Sequence, residues 1–209
     1  MEQVEIETPH GAARACLEAV SEARGALILG HGAGGGVGAR DLQTASAAAL
    51  EQRLSVALVE QPYLVAGRRS AAPARQLDAA WLAVIARLAE RELAGLPLIF
   101  GGRSSGARVA CRTATAGGAI AVLCLAFPLL PPRRAASTKA PETRLPELEV
   151  VTVPTLVVQG ASDRFGMPPA AANRMVVEVA GDHSLRTDLA AVGAAVTSWL
   201  TELDVPAAV

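Results

Sequence analysis

The chain has 209 residues, of which 51% are hydrophobic and 19% charged, with a formal net charge of −1. That is enough material for one domain with a full core, expected over 1–209, and a charge balance that excludes a nucleic-acid binder built on clustered Lys and Arg. The Met-Glu-Gln-Val-Glu start lacks a basic, then apolar leader, and the longest apolar run, Ala119 to Leu130, is too short for a membrane span and contains Pro128.

Cys16, Cys111 and Cys124 are odd in number and lack metal-ligand spacing. They read as reduced thiols of a cytoplasmic protein, with no metal site. Arg133-Arg134 is a short basic pair, read as a solvated loop.

In chain order, Val4–Thr8 and Ala13–Leu17 flank Pro9-His10-Gly11 and predict an antiparallel hairpin. Gly25–Leu29 is a short apolar run of the kind that forms buried parallel strands. It enters Gly30-His31-Gly32-Ala33-Gly34-Gly35-Gly36. Two readings compete for this loop. In a hydrolase, a backbone N–H after the His-Gly pair would face a developing oxyanion, with Ala33 the first choice and Gly34 the second. His31 would hold the loop by a hydrogen bond. In a dinucleotide-binding protein of Rossmann type, Gly30–Gly35 satisfies G-x-G-x-x-G, and Glu60 ends the next strand where it would bind ribose. Against the second reading stand the preceding hairpin, the ease of matching in a glycine run, and the residues it leaves unexplained downstream.

Arg40 to Arg53 is a candidate helix, and Ser55–Val59 the next strand. Leu77, Trp81, Val84 and Leu88 recur at helical spacing, with Pro73 before them and Gly95 and Pro97 beyond. Leu96–Phe100 is a strand that runs into Gly102-Arg103-Ser104-Ser105-Gly106, and Ala107 to Ala116 is a candidate helix. This is G-x-S-x-G between strand and helix. A nucleophile there sits on a strained turn that lifts its hydroxyl above the sheet, and flanking glycines let backbones pass closely. Ser104 is the central residue. The backbone N–H of Ser105, the residue after it, would be an oxyanion donor.

Ala119–Phe127 is a further strand, and the stretch from Leu129 to Glu149 is a loop or short helices at a site rim. Thr155–Val158 is a strand whose following loop ends at Asp163, a strand end where α/β sites assemble. Met175–Val179 is the last strand. His183 follows it and is the one histidine downstream of Ser104. Ser, then Asp, then His is the chain order of a hydrolase triad on such a sheet. Asp182 adjoins His183, but neighbours on an extended loop point apart, so turn or capping chemistry is its expected role. Glu178 lies within a strand. Leu189, Val192, Val196, Trp199 and Leu203 form a C-terminal amphipathic helix.

The alternation predicts an α/β fold: a mainly parallel central sheet, an N-terminal antiparallel hairpin, and helices on both faces. On these motifs, in this order, the chain resembles the small, lid-poor α/β-hydrolases related to dienelactone hydrolases. It is most similar to the bacterial group that also resembles the hydrolase-like subunit of an animal histone-acetylation complex. The resemblance runs from Gly25 to the C-terminus. It implies a hydrolase fold with Ser104 as nucleophile, Asp163 as acid and His183 as base. Dienelactone hydrolases proper use cysteine as nucleophile, where this chain has serine. Position 105, often Met in the group, is Ser here.

The reading is therefore a serine hydrolase acting on a small ester or thioester, with Ala33 and Ser105 as oxyanion donors and Arg103 and Phe165 near substrate. Its partner is a small molecule, not nucleic acid or membrane, and its chemistry needs no cofactor. The alternatives are the Rossmann-like reading and a non-catalytic binding protein on the same fold.

Overall fold

The computed structural model describes residues 2–132 and 142–206. Arg133 and Arg134 lie outside them. The hairpin is formed by β1 (Glu2–Thr8) and β2 (Gly11–Glu18), paired antiparallel from Glu2↔Leu17 to Thr8↔Gly11. Gly11 takes φ 103°, the left-handed conformation that closes this turn without a Cβ clash.

The remaining strands are β3 (Gly25–Gly30), β4 (Leu54–Glu60), β5 (Leu98–Arg103), β6 (Ala121–Leu125), β7 (Thr155–Gly160) and β8 (Arg174–Val179). The helices are α1 (Arg40–Glu51), α2 (Pro62–Val65), α3 (Ala74–Glu90), α4 (Ser105–Thr113), α5 (Leu145–Glu149) and α6 (Leu189–Glu202). Every predicted strand and helix is present. The short α2 has no counterpart in the predicted pattern, being a single Pro-initiated turn with too few residues to show a period. The strand predicted over Ala119–Phe127 is shorter, because Ala126 turns to φ 50° and breaks the extended chain.

The sheet runs β1-β2-β4-β3-β5-β6-β7-β8. β2 joins β4 antiparallel, and every later pairing is parallel. Alternate strand residues face opposite layers. Ala26, Ile28, Phe100, Val122 and Val157 pack with α3 and α4 through Trp81, Val84, Leu88 and Val109. Leu27, Leu29, Ile99, Leu123 and Val158 pack with α1 and α6 through Leu42, Ala45, Val192, Val196 and Trp199. This is the α/β-hydrolase fold, with helices on both faces.

The strand order is what places a site. From β3 the chain steps one way to β4 and then returns to the other side of β3 as β5. The loops leaving β3 and β5 therefore part above their carboxyl ends, the position where open α/β sheets bind ligands. The Gly30–Gly36 loop leaves β3 there, and Ser104 follows β5. α6 is fastened below by Asp188, whose carboxylate caps its N-terminus by accepting from the Ala191 N–H at 2.9 Å.

Candidate active site

Ser104 joins β5 to α4 with φ 53° and ψ −106°. A non-glycine residue in that region costs about 1–3 kcal/mol and persists only where its surroundings hold it. Here they do: the Ser104 N–H donates to the Leu125 carbonyl at 2.9 Å. The glycines on either side are required by proximity. A methyl group on Gly102 or Gly106 would collide with the Gly30 carbonyl oxygen. The turn can thus lie directly against the end of β3.

The two downstream loops meet in the same way. A methyl on Gly160, at the end of β7, would strike the Asp182 carbonyl. This contact sets the loop carrying Asp163 beside the loop carrying His183. The His183 Nδ1–H donates to Asp163 Oδ2 at 2.7 Å. That leaves Nε2 to accept the Ser104 hydroxyl at 2.9 Å. So the structure brings Ser104, His183 and Asp163 into one hydrogen-bonded chain from three strand ends. Asp182 instead holds its own loop, accepting from the Ser184 N–H at 2.8 Å and hydroxyl at 2.6 Å. Those bonds hold its carboxyl below the usual range. This is the turn chemistry expected of it.

Ala33, Ser105, Arg103 and Phe165 line one cavity of about 480 Å³ with Ser104 and His183. Among the hydrogen bonds of the described residues, none uses the Ala33 or Ser105 amide N–H. Tyr63 instead holds Ala33 by its carbonyl, donating to it at 3.2 Å. The Phe165 ring stands edge-on to His183 with centroids 4.5 Å apart, and its N–H donates to Asp163 Oδ1 at 2.9 Å.

Arg103 is a strut rather than a free arm. Its Nε lies 2.8 Å from Asp41 Oδ2 in an ion pair, and its Nη2 donates to the His183 carbonyl at 3.0 Å. Burial pushes the Asp41 carboxyl up, and Arg103 opposes that push. One guanidinium so links α1, the nucleophile turn and the histidine loop.

Comparison with known families bears on the fold. A family model described as "Alpha/beta hydrolase domain" matches residues 23–198. The chain belongs to the α/β-hydrolase family. In fold this hydrolase is similar to an alpha-beta serine hydrolase homologue from Coxiella burnetii, at 16% identity over 94% of this chain and 96% of that one, with a TM-score of 0.76. It is similar to an a/b serine hydrolase without lid from Xanthomonas campestris, at 16% identity over 96% and 93%, with a TM-score of 0.72. A dienelactone hydrolase from Anabaena variabilis aligns at 15% identity over 96% of each chain, with a TM-score of 0.74. No curated protein matches the chain.

The hydrolase fold also answers the dinucleotide reading of the glycine loop. A dinucleotide fingerprint opens directly into a helix, whose N-terminus receives the pyrophosphate. Here α1 begins only at Arg40, well past Gly35, and Glu60 is paired with Arg14 at 3.3 Å. Among the described residues no group of three or more His, Cys, Asp or Glu is placed to hold a metal, and no helix is long and apolar enough to cross a membrane.

His31 holds the loop as a neutral imidazole. Its Nδ1–H donates to the Gly32 carbonyl at 2.8 Å, and Nε2 accepts the Gln61 N–H at 3.1 Å. Burial lowers its pKa below the ordinary histidine value of 6.5, against the opposing pull of the Gly32 carbonyl and Glu60. The sign follows from proton counting. Between the lowered folded value and 6.5 the unfolded chain binds more protons, so stability is full above 6.5 and is lost as pH falls through the folded value. Thermal unfolding from about pH 8 to pH 5 should therefore show the deficit of His31→Asn shrinking on the acid side.

Sequence patterns do not single out Gln159. It is fully buried in β7, and its Nε2 lies 2.8 Å from Asp163 Oδ2, 3.1 Å from the Phe127 carbonyl and 2.9 Å from the Gly166 carbonyl. All three are acceptors, which fixes the amide orientation. The one signal available is a glutamine inside an otherwise apolar strand, Thr155-Leu156-Val157-Val158-Gln159. Gln159→Leu strands these acceptors and frees Asp163 to swing. The expected result is a kcat lower by about tenfold with KM little changed, and about 2 kcal/mol less stability in urea unfolding.

Proposed function

We propose that this chain is a serine hydrolase that cleaves a small ester or thioester through an acyl-enzyme on Ser104. The observation that carries the reading is the continuous hydrogen-bonded chain from Ser104 Oγ through His183 to Asp163, ending on a nucleophile held at φ 53°. Ser104 Oγ attacks the carbonyl carbon as its proton passes to His183 Nε2. The carbonyl oxygen takes up negative charge, which the Ala33 and Ser105 N–H groups stabilise. Asp163 holds the imidazole in the Nδ1–H tautomer and stabilises its cation. Collapse of the adduct expels the alkoxide or thiolate, which takes the proton from Nε2. Water then attacks the acyl group with His183 again as base, releasing the acid and restoring the serine. No step calls for a metal or organic cofactor.

The free thiols of Cys16, Cys111 and Cys124 suit a reducing compartment, and we place the protein in the cytoplasm.

A fluorophosphonate probe tests the mechanism directly. Labelling of the folded wild type and none of Ser104→Ala is the expected pattern, and an unlabelled, folded wild type removes the reading. A panel of acyl esters tests the substrate class: turnover confined to long-chain lipids contradicts a small ester.

A further inference from the structure

Among the described residues, the cavity over Ser104 is lined by five arginines, Arg103, Arg108, Arg112, Arg144 and Arg164, and by no Asp or Glu. Three of them are neutralised from outside it. Arg103 pairs with Asp41. Arg108 forks onto Glu147 through Nε and Nη2. Arg112 is shared between Asp78 and Glu147. The carboxylate of Asp163 is committed to His183, Gln159 and the Phe165 N–H, and its side chain is 1% exposed.

Arg144 and Arg164 are different. Among the described residues neither has a carboxylate within ion-pair distance. Among the described residues the Arg144 guanidinium donates to a neutral acceptor, the Pro128 carbonyl, at 3.2 Å. Arg164 lies over the Phe165 ring, 4.9 Å from its centroid. Burial first, and then the Arg108 charge, push the Arg144 pKa down against the pull of Glu147. A guanidinium so placed stays charged near neutral pH, so its environment favours an incoming anion. Phe165 also touches His183, which returns the proton to the leaving group. Arg164 is thereby separated from His183 by one aromatic ring on the wall of the same cavity.

We infer that the substrate is an ester or thioester carrying a carboxylate or phosphate group, which Arg144 and Arg164 bind beside the reacting carbonyl. The inference rests on the serine-hydrolase reading for its reaction and on the arginine pair for its specificity. Guanidinium forks match both oxyanions, and cations in a partly enclosed cavity outweigh the same cations in open water.

Matched substrates test it. 4-Nitrophenyl butyrate is compared with the 4-nitrophenyl monoester of glutaric acid, and the S-butyryl thioester of 2-mercaptoethanol with that of 2-mercaptoethyl phosphate. The first pair reads the carboxylate and the second the phosphate. At low salt, kcat/KM for at least one charged member is expected to exceed that of its neutral partner about tenfold, and the ratio to collapse in 1 M salt, where charges are screened within about 3 Å. In Arg144→Gln/Arg164→Gln the same ratio should fall about tenfold. Ser104-dependent turnover with no preference in either pair overturns the inference and leaves the hydrolase reading intact. Absence of fluorophosphonate labelling overturns the hydrolase reading instead. The arginine pair is then judged without turnover, by calorimetric titration of Ser104→Ala with glutarate and phenyl phosphate. Binding that weakens about tenfold in the added Arg144→Gln/Arg164→Gln background supports the pair as an anion site. No binding, or binding that ignores the arginines, overturns it.

Discussion

Replacing Ser104 by alanine is expected to lower kcat on a reactive ester by roughly 10⁵-fold, with KM and fold retained. The size follows from what is lost. Without Oγ no covalent intermediate forms, and His183 Nε2 loses the hydroxyl it accepts from at 2.9 Å. What survives is the cavity and, in the proposed mechanism, the Ala33 and Ser105 amides as oxyanion donors to an attacking water. Pre-steady-state kinetics with excess 4-nitrophenyl ester check this, because the wild type should show a burst of nitrophenol and the variant none. A variant with more than a few per cent of wild-type kcat would remove Ser104 from the chemistry. Circular dichroism confirms that the comparison is between folded proteins.

Asp163→Asn should cost about 10⁴-fold in kcat while leaving the protein folded. The cost comes from the wrong histidine tautomer. The Asp163 carboxylate accepts from the Phe165 N–H on Oδ1, and from Gln159 Nε2 and His183 Nδ1 on Oδ2. An asparagine has one acceptor oxygen. Pointed at Phe165, it turns its NH₂ toward His183, and the ring must then present a lone pair at Nδ1 and its proton at Nε2. That proton sits where the Ser104 hydroxyl must donate, so the base is lost although every atom is close to its place. Turned the other way, it sets NH₂ against the Phe165 N–H. Steady-state kinetics with a Tm measurement separate the two costs: kcat falls, and Tm changes by a few degrees. A kcat within tenfold of wild type would show that Asp163 does not orient the base.

The architecture is legible in the sequence because its signals are local. Each buried parallel strand is a short apolar run, and the long helices α3 and α6 repeat their apolar residues every three or four positions. Ser104, Asp163 and His183 stand out as candidates for the same reason. Each follows a strand, and each belongs to a short pattern whose chemistry needs that residue type. What stays hidden is everything that depends on distant pairing. Nothing in the sequence joins Asp41 to Arg103, or Asp78 and Glu147 to Arg112; they meet only because α1, α3, α4 and α5 pack around one end of the sheet. Arg103 is visible as a residue near the nucleophile, but its role as a strut is not. The arginine lining is hidden in the same way, for Arg108, Arg144 and Arg164 come from a helix and two separate loops. Neither pattern nor composition sets them beside one cavity.

The strained turn at Ser104 bears on why a serine is there at all. Glycine adopts φ 53° and ψ −106° without the Cβ conflict that serine meets. Of two inert proteins, Ser104→Gly should therefore outlast Ser104→Ala by about 1 kcal/mol in chemical denaturation, since both lack the hydroxyl and only alanine keeps the strain. In a chain maintained only for its shape, as a binding protein on this fold would be, glycine at this position relieves the strain at the cost of the hydrogen bond from the Ser104 hydroxyl to His183. The backbone of this turn suits glycine, and it is the hydroxyl bonded to His183 that gives serine a use there.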